Sequence, residues 1–219
     1  MEALQNFFTY VQNNSDYITE ATLQHLRIVL IVIAFATVTS VLLGVWIQTR
    51  PLARALVLST ASIFLTLPAL ALFALFIPVM GIGNPPAMLA LWMYALLPIL
   101  RNTVTGLDSV PPAVTESARG MGLTGTQRLL KVKLPLALPV IMAGVRVATL
   151  LTVGLAAIAV LVGGDGLGIF IRSGLSRNGL PNAAEQVWTG TVFIVALGLL
   201  LDLVLAAFQR VATPRGLKV

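Results

Sequence analysis

The sequence predicts an all-α integral membrane protein with five transmembrane helices, its N-terminus outside and its C-terminus inside. Three observations lead to this fold class. Only 10% of the 219 residues are charged and 58% are hydrophobic, whereas a soluble domain carries about 25% charged residues. Five apolar segments reach the roughly 20 residues that a membrane span needs. Lysine and arginine are concentrated in alternate loops, as the positive-inside rule requires.

The predicted spans cover residues 26–47, 52–77, 86–107, 136–162 and 187–209. With the N-terminus outside, the inner loops and tail hold most of the basic side chains: Arg50, Arg54, Arg101, Arg119, Arg128, Lys131, Lys133, Arg210, Arg215 and Lys218. The outer side keeps only Arg27, Arg172 and Arg177. This bias predicts the orientation, with residues 210–219 as a cytoplasmic tail.

Residues 1–24 are a polar lead that contains Glu2, Asp16 and Glu20 but no Lys or Arg. A secretory signal would begin with basic residues and reach a short apolar core almost at once. We therefore expect an external N-terminal segment that is not cleaved. His25, the single histidine, is expected to be an interfacial polar residue at the outer edge of the first span.

Composition and missing motifs exclude several function classes. The chain has no cysteine, so disulfides and thiolate metal sites do not arise. The pI near 10.5 follows from the basic inner loops and does not indicate nucleic-acid binding. The sequence has no phosphate-binding loop for ATP, no nucleophile–base pair, no paired catalytic carboxylates and no metal cluster. We expect a protein that is not an enzyme and binds no cofactor of its own.

Two prolines mark the second span. Pro68 lies in its middle and predicts a kink, and Pro78 is expected to end it. A proline inside a helix removes a hydrogen bond and bends the helix, which membrane helices tolerate. The bend is either a packing feature or part of a helix that lines a substrate path.

The sizeable inner loop, residues 108–133, predicts two short helices joined by a glycine hinge. Asp108 and Ser109 are expected to cap the first helix, with Pro111 and Pro112 at its start. That helix should run to Arg119 and end at the stretch of residues 120–122, which contains two glycines.

Thr124 and Gln127 form a capping-box pattern that should open the second short helix. On the outer side, residues 163–186 begin with a glycine-rich sequence that follows no strand, so it does not indicate a phosphate site. We expect a tight turn near the external gate and a short surface helix over about 167–175.

Arg146 and Asp202 are charges inside predicted spans, each about 23 Å from the outer end at ~1.5 Å per residue. They either pair between the fourth and fifth helices or reach the inner interface independently. Trp92 and Tyr94 lie within the third span, where they either pack or present a face to a cationic substrate. Trp188 and Trp46 are expected at the two interfaces.

The most informative stretch runs from Glu116 to Pro135. Glu116 is a lone acid in a basic loop, and an ion pair with Arg119 would explain it without any function. The wider pattern favours a functional role and consists of Glu116, Ser117, Ala118, Gly122, Leu134 and Pro135. This pattern resembles the EAA loop of ABC importer permeases, the element that docks on a separate ATPase. The sequence has Ser117 where that family usually has alanine, and serine is small enough to keep the close approach.

Further strings resemble the osmoprotectant permeases, which import glycine betaine, carnitine or choline. They include residues 22–26, 67–73, 81–87, 94–103, 144–146, 166–168 and 213–216. The resemblance implies a type I importer in a bacterial or archaeal cytoplasmic membrane. It also implies two ATPase subunits that bind ATP and Mg²⁺, a second permease copy or sister permease, and a separate extracytoplasmic binding protein.

Three alternatives remain at this stage. Five-span permeases of similar length also import methionine, so the cargo could be an amino acid. An energy-independent channel would leave the loop around Glu116 without a role. A membrane-embedded enzyme is disfavoured because the intramembrane polar residues form no catalytic constellation.

Overall fold

The computed structural model describes residues 2–212, and within that range every regular element is helical. The α-helices are α1 (Glu2–Asn13), α2 (Ser15–Ile47), α3 (Pro51–Thr66), α4 (Ala69–Met80), α5 (Asn84–Asp108), α6 (Pro112–Gly120), α7 (Gly125–Arg128), α8 (Leu134–Ala159), α9 (Gly168–Ser176) and α10 (Ala183–Ala212). A π-helical turn, Leu129–Lys133, joins α7 to α8, and a 3₁₀ turn, Val160–Val162, extends α8. The string at 213–216 and most of the predicted tail lie outside the described residues.

Within residues 2–212, four helices are long and apolar enough to cross a membrane: Ser15–Ile47, Asn84–Asp108, Gly125–Val162 and Ala183–Val211. The pair α3 and α4 passes the same test together and would make a fifth span, but it is bent by 101°. Each of the five predicted apolar segments therefore falls on a helix or on this bent pair. The all-helical membrane fold class is confirmed.

The centre of the bundle is α5, which packs against α2, α3, α4 and α8. Small residues let α5 and α8 approach closely. A Cβ atom at Gly144 would lie 2.7 Å from the carbonyl oxygen of Pro98 and 2.6 Å from Cβ of Asn102. In a membrane, where lipid removes much of the hydrophobic drive for association, such close backbone contact is a main source of helix–helix attraction.

The bend predicted at Pro68 is present, but it is larger than a kink within one helix. The second apolar segment is divided there into two helices, α3 and α4. α3 ends at Thr66, and Leu67 is extended, with φ −75° and ψ 140°. The proline ring disfavours helical geometry at the preceding residue, and Pro68 has no N–H to continue the ladder. The Tyr94 hydroxyl on α5 donates a 2.6 Å hydrogen bond to the carbonyl of Leu67, which satisfies one of the groups that the break frees.

Pro78 does not end the segment, contrary to the expectation. It lies inside α4, which continues to Met80. The helix ends where Gly81 adopts φ +80°, a conformation that favours glycine.

The N-terminal lead is helical, and α2 begins 11 residues before the predicted first span. At ~1.5 Å per residue its 33 residues measure about 50 Å, more than a ~30 Å hydrocarbon core needs. His25 is fully buried where α2 meets α8, so its side chain packs inside the bundle. Its Nε2 lies 3.1 Å from the carbonyl oxygen of Val153.

Two turns are joined at the end of the bundle where α8 finishes. The backbone N–H of Gly83 donates to the carbonyl of Val162 at 3.2 Å. Asn84 donates to a carboxylate oxygen of Asp165 at 2.6 Å and accepts from the Asp165 backbone N–H at 2.8 Å. The predicted tight turn is present, with Gly163 at φ +83°, and the predicted short helix follows it as α9.

Candidate functional site

The loop between α5 and α8 contains the predicted first helix, α6, but its start differs from the expectation. Pro111 is the N-cap residue and Pro112 occupies the first turn, with no side-chain cap. Asp108 instead ends α5 and binds Arg54 at 2.6 Å. The Ser109 hydroxyl donates back to the carbonyl of Gly106 at 2.8 Å. The predicted Asp108–Ser109 cap is therefore wrong, because α5 runs on far enough to use both side chains.

The predicted glycine hinge lies at the end of α6. Gly122 has φ +81°, and its N–H donates to the carbonyl of Arg119 at 2.9 Å. The N–H of Leu123 then donates to the carbonyl of Ala118 at 3.1 Å. A Cβ atom at Gly122 would meet nothing within 4 Å, so the positive φ is what favours glycine here.

The second short helix begins with the predicted capping box. The Gln127 N–H donates to the Thr124 hydroxyl at 3.3 Å, and the Thr124 N–H donates to the Gln127 side-chain oxygen at 2.9 Å. This pair satisfies two of the free donors at the start of α7. The capping box is confirmed.

Leu134 and Pro135 lie inside a continuous helix, not at the end of a loop. The N–H of Leu134 donates to the carbonyl of Leu129, five residues back, which closes the π turn. A proline in an α-helix clashes with the carbonyl four residues earlier, and the wider turn just before Pro135 relieves that clash. The second half of the loop therefore passes directly into the membrane helix.

The residues of the EAA-like motif on α6 differ in their exposure. Ala118 is buried, at 1% exposure, whereas Glu116 and Ser117 are exposed. Glu116 forms no ion pair with Arg119 in the part of the chain that the structure describes. The simple explanation of Glu116 as a surface ion pair is thus not supported by its geometry.

Exposed apolar side chains accompany Glu116 on this loop. Met121 is 72% exposed and Leu130 is 58% exposed. We did not single out these residues from the sequence. In the sequence, Met121 is an apolar residue between two glycines of a polar loop. Neither a buried core nor a turn requires an apolar side chain at that position.

A small basic cavity of about 210 Å³ separates this loop from the end of α2. Its walls include Gln48, Thr115, Arg128 and Lys133. The Nε atom of Arg128 is buried and has no hydrogen-bond partner within residues 2–212. The loop thus exposes Glu116 on α6, and apolar side chains after that helix, beside a basic cavity.

Arg146 and Asp202 are brought together by α8 and α10. The Arg146 guanidinium donates two hydrogen bonds to the Asp202 carboxylate, at 2.7 and 2.8 Å. The two side chains are 34% and 22% exposed. Of the two sequence alternatives, the structure has the pair between the fourth and fifth predicted spans.

Trp92 and Tyr94 do not form a joint aromatic site with Pro68. The Trp92 indole N–H donates to the Thr39 hydroxyl at 3.1 Å, and its ring lies 5.8 Å from that of Phe35. Tyr94 is buried and bonded to the bend before Pro68. Trp46 stacks under Arg50 at 4.8 Å, and Trp188 is 62% exposed.

Comparison with known proteins agrees with this architecture. Residues 36–213 match the family described as "binding-protein-dependent transport system inner membrane component". The osmoprotectant import permease protein OsmW of Salmonella typhimurium is 40% identical over 95% of this chain and 98% of its own. The glycine betaine/carnitine/choline permease OpuCB of Bacillus subtilis is 38% identical over 98% and 97%.

A solved structure of the MetNI methionine ABC transporter in an inward-facing conformation superposes with a TM-score of 0.77. It is 27% identical and covers 90% of this chain and 96% of its own. This likeness establishes the type I ABC importer permease fold. The chain therefore belongs to the family of membrane components of binding-protein-dependent transport systems and is an ABC importer permease.

Proposed function

We propose that this chain forms the pore of an ATP-driven importer that moves a small quaternary-ammonium osmoprotectant across the cytoplasmic membrane of a bacterium. Glycine betaine, carnitine and choline are the candidate solutes. The observation that carries the proposal is the loop between α5 and α8, which exposes Glu116 and continues without interruption into a membrane helix. The names of the relatives at 38–40% identity support the choice of cargo.

The proposed topology has five spans, with the N-terminus outside and the C-terminus inside, and counts the bent pair α3–α4 as one span. Residues 1–24 form the external segment, residues 25–209 the transmembrane domain, and residues 210–219 the cytoplasmic tail. The basic residues of the loop at 108–133 support this orientation. The bend at Pro68 is our candidate for a wall of the substrate path. We assign Trp92 and Tyr94 to packing, since their polar atoms bond within the chain.

Coupling to the ATPase is assigned to the loop at 108–133. Glu116 and Ser117 face outward for contact with a groove of the ATPase, and Ala118 holds α6 against its own loop. Gly122 forms the hinge. Movement of the loop passes through the π turn to Leu134 and Pro135 at the start of α8. Closure of the ATPases on ATP would then switch the pore from inward-facing to outward-facing.

The complete machine needs several partners. We propose two ATPase subunits, which hold the ATP and Mg²⁺, and a second copy of this permease or a sister permease. A separate extracytoplasmic protein would deliver the solute. The family match and the fold of the MetNI permease support this assembly.

Methionine is the second candidate cargo, because two solved structures with the same fold belong to a methionine transporter. Uptake of labelled glycine betaine tests both candidates in cells that lack their own osmolyte importers. The cells would express this permease with its ATPase and binding protein, and unlabelled choline, carnitine and methionine would compete. ATPase-dependent uptake blocked by quaternary amines supports the proposal; methionine uptake without betaine uptake contradicts its cargo.

The same cells test the coupling role through Glu116→Lys, which reverses the charge on the exposed face of α6. We expect transport to be abolished while the permease stays in the membrane at its normal level. Glu20→Lys, the same change on the exposed surface of α2, is the matched control and should retain uptake. Undiminished uptake by Glu116→Lys would contradict the coupling role.

A further inference from the structure

A second cavity, of about 540 Å³, lies at the end of the bundle opposite the coupling loop. α1, the start of α2, α9 and the start of α10 enclose it. The coupling loop adjoins the first residues of α8, whereas α9 follows its last residues, so the two features lie at opposite ends of that helix. In the proposed topology this cavity faces the outside. Its volume is in the ~300–1,000 Å³ range of small-molecule sites.

Three aromatic side chains line one part of this cavity: Tyr10, Tyr17 and Phe170. The rings of Tyr17 and Phe170 are 5.1 Å apart and tilted by 58°, so they form a corner. Within residues 2–212 a cation–π contact is found at Arg50 and Trp46, and none is found at these rings. The Tyr17 ring is 49% exposed and is therefore available to a cation from outside the chain, whereas Phe170, at 2% exposure, backs that ring from inside the bundle.

Arg177, also on the cavity wall, is a positively charged side chain that can bind an anion. It is exposed, and no carboxylate within the described residues lies at ion-pair distance from it. Burial raises the pKa of the nearby Tyr10 hydroxyl, and the positive charge of Arg177 opposes that rise. The Tyr10 phenol is therefore neutral at physiological pH and does not compete with an anion for Arg177.

A further observation indicates a site built for a ligand. The side chain of Gln186 lines the cavity and is 7% exposed, and its Oε1 atom has no hydrogen-bond partner within residues 2–212. Buried polar atoms in folded proteins are almost always hydrogen-bonded, so this acceptor points to a donor or cation from outside the chain.

We propose that this cavity is an entry site for a zwitterion with a quaternary ammonium at one end and a carboxylate at the other. The ammonium would lie against the exposed ring of Tyr17, near the side-chain amide oxygen of Gln186, and the carboxylate would bind Arg177. This inference rests on the proposed function and adds a location and a preference to it. Choline has no carboxylate, so Arg177 should disfavour it relative to glycine betaine and carnitine.

The absence of native cysteine in this chain permits a direct test by site-directed labelling. Ser173→Cys would place one thiol on the cavity wall, and Leu175→Cys would place one on the exposed surface of the same helix. The assembled transporter, in nanodiscs without ATP, would react with a membrane-impermeant thiol reagent. Glycine betaine, choline or sorbitol would be added at equal osmolality, with sorbitol as the osmotic control.

We expect saturating glycine betaine to slow labelling of Ser173→Cys at least fivefold, and sorbitol or choline to slow it much less. Labelling of Leu175→Cys should not change. Adding Arg177→Gln should abolish protection by betaine, whereas Arg27→Gln, an equal charge change at an exposed site, should preserve it. Adding Tyr17→Leu should abolish protection, and Tyr17→Phe should retain it.

No protection by betaine, or protection that survives both Arg177→Gln and Tyr17→Leu, would overturn the proposal. Asn13→Cys, also on the cavity wall, serves as a second reporter if Ser173→Cys disrupts assembly. The uptake assay separates this failure from failure of the proposed function. Betaine uptake without protection refutes the entry site alone, whereas methionine uptake without betaine uptake refutes the osmoprotectant function itself.

Discussion

The ion pair between Arg146 and Asp202 should contribute measurably to the stability of the permease. Asp202→Asn removes the carboxylate and leaves the guanidinium between α8 and α10 without its counter-charge. Breaking a fully buried pair costs about 3–5 kcal/mol, and a lone basic charge at the centre of a membrane helix costs about 2.5–3.5 kcal/mol on insertion scales. Because Arg146 is 34% exposed and Asp202 is 22% exposed, the pair is only partly buried within the chain, and the lower part of these ranges applies. We therefore expect Asp202→Asn to lower the free energy of unfolding by about 2–3 kcal/mol.

Thermal unfolding of the purified permease measures this loss. For a protein of 150–250 residues, each kcal/mol shifts Tm by about 2–4 °C, so Asp202→Asn should lower Tm by about 4–12 °C. The double variant Arg146→Gln with Asp202→Asn should be more stable than the sum of the single changes predicts, since neither charge is then left alone.

The surface pair Arg54 and Asp108 is the internal comparison. Its side chains are 37% and 45% exposed, and exposed pairs contribute about 0–1 kcal/mol. Asp108→Asn should therefore lower Tm by less than about 4 °C. Equal shifts for Asp108→Asn and Asp202→Asn, or strictly additive effects of the Arg146 and Asp202 changes, would refute the argument.

Three further changes test the packing and the hinge. Gly144→Val should destabilise the permease by about 1–3 kcal/mol, because its side chain would overlap α5; Gly154→Val on the same helix, where a Cβ meets nothing within 4 Å, should not. Tyr94→Phe should cost about 1 kcal/mol through the lost hydrogen bond to the bend before Pro68. Gly122→Ala should cost about 1 kcal/mol and reduce uptake, since φ is +81° there, whereas Gly120→Ala should be neutral.

Thermal unfolding reports the first two changes, and the uptake assay adds a second readout for the hinge. A Gly144→Val variant as stable as Gly154→Val would show that α5 and α8 can separate without cost. An unchanged Tm for Tyr94→Phe would mean that the bend does not depend on the phenol. If Gly120→Ala and Gly122→Ala behave alike, the conformation of the hinge is not what favours glycine.

Local patterns in the sequence predicted the helices and the capping box well, because a hydrophobic run or a Thr-x-x-Gln pattern acts through neighbours in the chain. The Arg146–Asp202 pair remained one of two alternatives, since it depends on how α8 and α10 rotate about their axes. The burial of His25 could not be predicted for the same reason, since it depends on α8 packing against α2. The 101° break at Pro68 exceeds the predicted bend, because a proline locally favours an extended Leu67 but its hydrogen bond to Tyr94 depends on how α5 packs.

The unbroken path from α7 to the end of the 3₁₀ turn has a mechanical consequence. It contains 38 residues, which at ~1.5 Å per residue extend for about 57 Å. Rotating such a rod by about 5° at one end would displace the other by about 5 Å, roughly the width of a small solute's headgroup. The π turn lies near the end of this path that adjoins the coupling loop, and its less regular hydrogen bonding makes it the most easily deformed part of the path. A stiffer turn would transmit more of any rotation at the coupling loop to the other end of α8.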